Sequence, residues 1–201
     1  MVTVADGMGS RPHADVGARA ACQAAVEAIR AWRRTPAAGL DVLVALLHVL
    51  WRARVAPLPP DACASTCLVA ALGPDGAGLA AQLGDGLILI RDGGGLRALA
   101  SRPPGDFTNE TNALGVTKQT SAWTTTTFAA GGRALILCTD GVADDLLPDR
   151  LEAFADWATG HAPLAPQARA SALRAALRAW PTPGHADDKT LAVVMAEGAT
   201  P

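Results

Sequence analysis

Between Ser65 and Ala100 the chain breaks into short apolar runs: STCLVAAL (65–72), GLAAQLG (78–84), GLILIRD (86–92) and GLRALA (95–100), set apart by Gly, Asp and Pro. Apolar runs this brief, bounded by turn residues, read as β-strands rather than helices, and their close succession predicts a meander. Asp92-Gly93-Gly94-Gly95 reads as its hairpin turn. TTTTF (124–128) is β-branched, RALILCTD (133–140) reads as a buried strand, and KTLAVVMA (189–196) as the last one. VTVA (2–5) reads as the end of a strand stopped by Asp6-Gly7.

Helices come in blocks on either side of these strands. From Asp15 to about Arg34, Val26, Ile29 and Trp32 recur at helical spacing, with Arg30, Arg33 and Arg34 on other faces. Pro36 and Gly39 break that stretch, and Asp41 is placed to cap a second helix through LVALLHVLWRAR, which stops before Pro57. Two helices are expected after Asp140. In the clearer one, 166–180, an apolar stripe of Ala168, Ala172, Leu173, Ala176, Leu177 and Trp180 opposes Arg169, Arg174 and Arg178. Helices in two blocks around antiparallel strands give an α+β class with helices covering sheet faces. No internal repeat or linker is visible, so 1–201 reads as a single domain.

Composition narrows the function. Half of the 201 residues are hydrophobic and 18% are charged, enough for a sizeable core and unlike a disordered chain. A net charge of −2 argues against a nucleic-acid or anionic-membrane binder driven by bulk charge. No apolar run approaches the roughly 20 residues that span a bilayer, and the opening MVTVADGMG has neither the basic nor the apolar part of a secretory signal. Cys22, Cys63, Cys67 and Cys138 do not make a disulfide framework, so a cytoplasmic location is expected.

The chemistry is carried by aspartates at strand ends. Asp6-Gly7 follows VTVA, Asp85-Gly86 joins two runs, Asp140-Gly141 follows ALILCT, and Asp187-Asp188 precedes the last strand. Carboxylates converging at one sheet edge repel each other unless a cation neutralises them, and hard divalent ions prefer oxygen ligands. Two such ions about 3.5–4 Å apart activate water for attack on a phosphoryl group. Each Asp-Gly taken alone is also an ordinary turn dipeptide. At this level the residues read as an acidic metal site of unspecified chemistry.

In order, DGMGSRPHADVGARAA (6–21), STCLVAAL (65–72), QLGDGLILIRDGG (82–94), LILCTDGVADDL (135–146) and DDKTLAVV (187–194) resemble the blocks of the protein phosphatase 2C family, metal-dependent Ser/Thr phosphatases. FTNETNALG (107–115) is similar to a bacterial branch of it. The resemblance implies a four-layer α-β-β-α sandwich of two antiparallel sheets with a binuclear Mg²⁺ or Mn²⁺ centre in a cleft at one end. It assigns Asp6 to the position that bridges both metals, with the Gly7 carbonyl as a further ligand, Asp140 and Asp187 to the same metal site, and Asp85 and Asp144 to a third, weaker ion. Gly86 and Leu87 stand where the family usually has Ser-Arg. The reaction it implies is hydrolysis of phosphoserine or phosphothreonine by a metal-bridging hydroxide, with Asp6, Asp140 and Asp187 as catalytic residues. The implied partners are a phosphoprotein substrate and a Ser/Thr kinase.

Family members carry about two further strands before the first block, with an acidic ligand and often a phosphate-holding arginine. This sequence opens directly on the strand before Asp6, so the reading expects an N-terminally incomplete phosphatase-like domain. The alternative is a catalytically impaired pseudophosphatase that acts as a scaffold or regulatory binding module. Arg11 as a substitute phosphate arginine and His13 as a general acid are weaker than their reading as solvated loop residues. Cys63 and Cys67 have no second pair to make a zinc site and read as packing. An aspartyl-nucleophile reading of LILCTDGVADD fails, because Cys138 occupies the place of the required first aspartate.

Overall fold

The computed structural model describes residues 1–35, 37–99, 112–180 and 187–196. The helix break at Pro36, the FTNET part of 107–115 and the loop before it lie outside those residues. Strands run β1 (Val2–Val4), β2 (Cys67–Leu72), β3 (Gly78–Leu83), β4 (Leu87–Asp92), β5 (Gly95–Leu99), β6 (Thr124–Phe128), β7 (Ala134–Cys138) and β8 (Leu191–Met195). Helices are α1 (Ala14–Trp32), α2 (Leu40–Val55), the single turn α3 (Asp140–Ala143), α4 (Leu151–Thr159) and α5 (Pro166–Arg178).

The strands form two four-stranded antiparallel sheets, ordered β1-β2-β3-β6 and β5-β4-β7-β8. Alternate residues of each central strand serve different layers. Leu68 and Ala70 of β2 meet Ile88, Ile90, Leu135 and Leu137 of the second sheet, while Cys67 and Val69 turn the other way onto α1 and α2. Leu87, Leu89, Ile136 and Cys138 face α4 and its Phe154, Ala155 and Ala158. The result is the expected α-β-β-α sandwich. Because both faces of the central strands are covered, they read as continuous apolar runs, and each fully buried Leu or Ile contributes about 1.5–3 kcal/mol.

Small residues set the layer spacing. Ala21, Ala24, Ala25 and Ala28 bring α1 close to the first sheet. A methyl group at Gly17 would overlap the Cys63 carbonyl, so α1 rests directly on the turn that leads into β2. Trp51 of α2 reaches across and donates its indole N–H to the Gly17 carbonyl at 3.0 Å.

Three sequence expectations change. β3 and β4 are not neighbours in a meander: they belong to different sheets, and Gly84–Gly86 is the crossing between them. Gly84 has φ +107°, a conformation that favours glycine. Asp41 is not the cap of α2, which starts one residue earlier behind Gly39 without a side-chain cap. Arg169 does not simply oppose the apolar stripe of α5, for its guanidinium turns back to the Ala162 and Leu164 carbonyls at 2.9 and 3.1 Å. The hairpin at Asp92–Gly95 forms as expected, with Asp92 paired to Gly95. Among the described residues no helix is long and apolar enough to cross a membrane.

Candidate functional site

Asp6 leaves the end of β1 and is held from the neighbouring strand. Its amide donates to the Thr66 hydroxyl at 2.9 Å, and the Thr66 amide donates back to the Asp6 carbonyl at 2.8 Å. The following loop is stitched to the same segment by Met8 N–H to the Ala64 carbonyl (3.0 Å) and His13 N–H to the Ala62 carbonyl (2.9 Å). Gly7 packs against the start of α1, where a Cβ would come within 2.6 Å of the Ala14 carbonyl oxygen. Its lack of a side chain thus serves close packing; its φ is not positive.

On the other sheet, β7 ends at Cys138 and delivers Asp140 to the start of α3. Buried Thr139 fastens the incoming segment of β8: its hydroxyl donates to the Asp188 carbonyl at 3.1 Å and accepts the Thr190 amide at 3.0 Å. Gly141 leaves room for that segment, since a methyl there would overlap the Asp188 carbonyl. Asp140 and Asp187 each accept the amide of the next residue, at 2.8 and 2.9 Å. Asp85 sits on the crossing between the sheets, with the buried Gln82 amide reaching the Gly86 carbonyl beneath it.

These elements meet at one cavity of about 190 Å³, lined by Asp6, Gly7, Met8, Gly9, Ser10, Thr66, Asp85, Asp140 and Asp187. Burial, and then the negative charges of Asp140, Asp187 and Asp188, push the Asp6 carboxyl up to about 6. Asp140 is raised by burial and by Asp85, Asp187 and Asp144. Both shifts have the sign expected when carboxylates share a site with no positive charge in its wall. Among the described residues the lining contains no Lys, Arg or His. Neither Arg11 nor His13 belongs to it. Asp144 also stays outside that lining, exposed at the end of α3, where its amide donates to the Asp140 carbonyl at 2.9 Å and its charge raises the Asp140 carboxyl.

Apart from the Met8 thioether, the donors around the cavity are oxygens: carboxylates, the Thr66 and Ser10 hydroxyls, and backbone carbonyls. That set fits hard divalent cations rather than zinc or copper. Among the described residues no three acidic, imidazole or thiol groups close on a single point as a ready chelate. Thr66, Ser10 and Thr139 were not singled out from sequence; a hydroxyl in a strand or loop carries no periodic signal. The cysteines lie elsewhere, free, with Cys63, Cys67 and Cys138 buried.

Residues 1–180 match the family described as Protein phosphatase 2C. The chain belongs to that family. Solved structures of protein phosphatase 2C type share its fold at low identity. The catalytic domain of the serine/threonine protein phosphatase PstP, solved with two manganese ions, is 19% identical with a TM-score of 0.57, over 95% of this chain and 84% of that one. The photosystem II phosphatase PBCP is 15% identical with a TM-score of 0.58, over 88% and 67%. A Stage II Sporulation E family protein from Thermanaerovibrio acidaminovorans is 19% identical with a TM-score of 0.52, over 96% and 93%. No curated protein matches the chain at a significant level.

Proposed function

We propose that this chain is a protein-serine/threonine phosphatase that hydrolyses phosphoserine and phosphothreonine with Mg²⁺ or Mn²⁺. One observation carries the reading: Asp6, Asp85, Asp140 and Asp187, from four separate stretches of chain, line one cavity with no cationic side chain among the described residues. Asp6, with the Gly7 backbone, Asp140 and Asp187 are the residues assigned to hold two ions, and Asp85, with Asp144 farther out, a third. When bound, the ions supply an activated water and neutralise the phosphate. The chain's own contribution is positioning. Thr66 holds Asp6, Thr139 holds the Asp187–Asp188 segment, and the two sheets carry the facing carboxylates as rigid supports. In the overall reaction a water oxygen bonds to phosphorus, the serine or threonine oxygen leaves, and that alcohol takes a proton.

A second reading is favoured by the absence of a ready chelate among the described residues. In it the chain is a pseudophosphatase that binds a phosphoprotein or its kinase as a scaffold. Mn²⁺ titration with p-nitrophenyl phosphate and a phosphothreonine peptide separates the two. Metal-dependent turnover that is lost with EDTA and in Asp140→Ala supports the enzyme. Absence of turnover at saturating Mn²⁺, in this chain and in one extended upstream, supports the scaffold.

A further inference from the structure

Between α5 and the start of β8 lies a second cavity, of about 430 Å³, more than twice the volume of the carboxylate cavity. Among the described residues its walls carry Arg169, Arg174 and Lys189 and no acidic residue, over a floor that includes Leu173, Leu177 and Leu191. This is unusual in a chain whose net charge is −2. Among the described residues Arg174 makes no ion pair, and none is made by Lys189, whose ammonium touches only the Asp187 carbonyl, at 3.2 Å. Arg169 is fixed by its bonds to the Ala162 and Leu164 carbonyls, and its Nε is buried without a partner.

We propose that this groove binds an acidic stretch of the phosphoprotein substrate, beside the phosphorylated residue; the proposal rests on the phosphatase reading above. The cations are spread too widely for one small anion. Arg169 and Arg174 are separated by about 7.5 Å of helix rise, with Lys189 on the opposite wall. An extended chain with several carboxylates and some apolar contact satisfies all three together with the leucine floor. The groove also adjoins the carboxylate cavity. Lys189 and Thr190 form its wall, and Thr190 is bonded to Thr139, next to Asp140. From Asp187 to Leu191 the backbone spans at most ~14 Å, which places the preferred acidic residues about three to five positions from the phosphorylated one.

The test uses two fluorescein-labelled phosphothreonine peptides, with Glu or with Gln at those positions, in anisotropy titrations with EDTA present to prevent turnover. The Glu peptide binds roughly tenfold tighter at about 50 mM NaCl, and the advantage shrinks at about 500 mM. Arg174→Glu, on the exposed side of α5, weakens it roughly fivefold, while Arg30→Glu on α1 leaves it unchanged. Equal affinity for the two peptides, or a Glu-peptide affinity untouched by Arg174→Glu, overturns the groove. The same peptides with Mn²⁺ separate the two ideas. Binding with the expected preference but no turnover rejects the phosphatase reading alone, and turnover indifferent to Glu or Gln rejects the groove alone.

Discussion

Thr66 and Asp6 exchange backbone and side-chain hydrogen bonds across the junction of β1 and β2, at 2.9 and 2.8 Å. Thr66→Val keeps the shape of the side chain and removes the acceptor for the Asp6 amide. Leaving a largely buried N–H unpaired costs about 1–3 kcal/mol. Urea denaturation is expected to show that loss, with a fall in Mn²⁺ affinity because Asp6 is no longer held in place.

Asp6 lies among like charges. In the metal-free protein Asp6→Asn removes a carboxylate that burial, and then its charged neighbours, push up to about 6. The variant is expected to be more stable than the parent at neutral pH by roughly 1 kcal/mol, after allowance for solvent screening. Its phosphatase activity falls by on the order of a hundredfold or more, since even outer partners of a metal site are worth about 10–100-fold. Thermal melts in EDTA, paired with Mn²⁺-dependent assays, read both effects; a variant less stable than the parent in EDTA would contradict the repulsion argument.

Gly141→Ala tests the packing of the last acidic segment. The new methyl overlaps the Asp188 carbonyl, so either α3 or the 187–190 segment must move. Overpacking of this kind costs about 1–3 kcal/mol. Displacing Asp187 by even an ångström lowers kcat/KM by roughly a hundredfold. Comparing kcat/KM with the melting temperature distinguishes this from general unfolding.

His48, remote from the carboxylates, gives a pH dependence. Its Nε2 accepts the Trp123 indole N–H at 2.9 Å, and burial together with nearby Arg52 holds the imidazole below its usual range. A histidine lowered on folding stabilises the protein above its unfolded pKa, near 6.5, and that stability is lost as pH falls toward the folded value. Chemical denaturation between about pH 7.5 and 5 is expected to show a steeper loss in the parent than in His48→Gln.

The four-layer sandwich came from the family resemblance; the α+β class was legible because covered strands must be apolar on both faces, and β2, β4 and β7 announce themselves that way. The same property hid which sheet each strand joins. With no in–out alternation left in LILI of β4, nothing marks Gly84–Gly86 as a crossing instead of a hairpin. The acidic cavity was legible through Asp6, Asp85, Asp140 and Asp187, each preceding or following an apolar run. Asp144 came only from the family resemblance, and it lies exposed at the end of α3. Thr66 and Thr139 act through partners 60 and 49 residues away, and no local pattern encodes such pairings.

Asp6 follows β1 of the first sheet and Asp140 follows β7 of the second, and the layer between those sheets, with Leu68, Ala70 and Ala80 on one side and Ile88, Ile90, Leu135 and Leu137 on the other, sets their separation. The gap across the cavity is therefore a readout of core thickness. A bulkier side chain at Ala70 or Ala80 would act as a shim, prising the carboxylates apart without touching them.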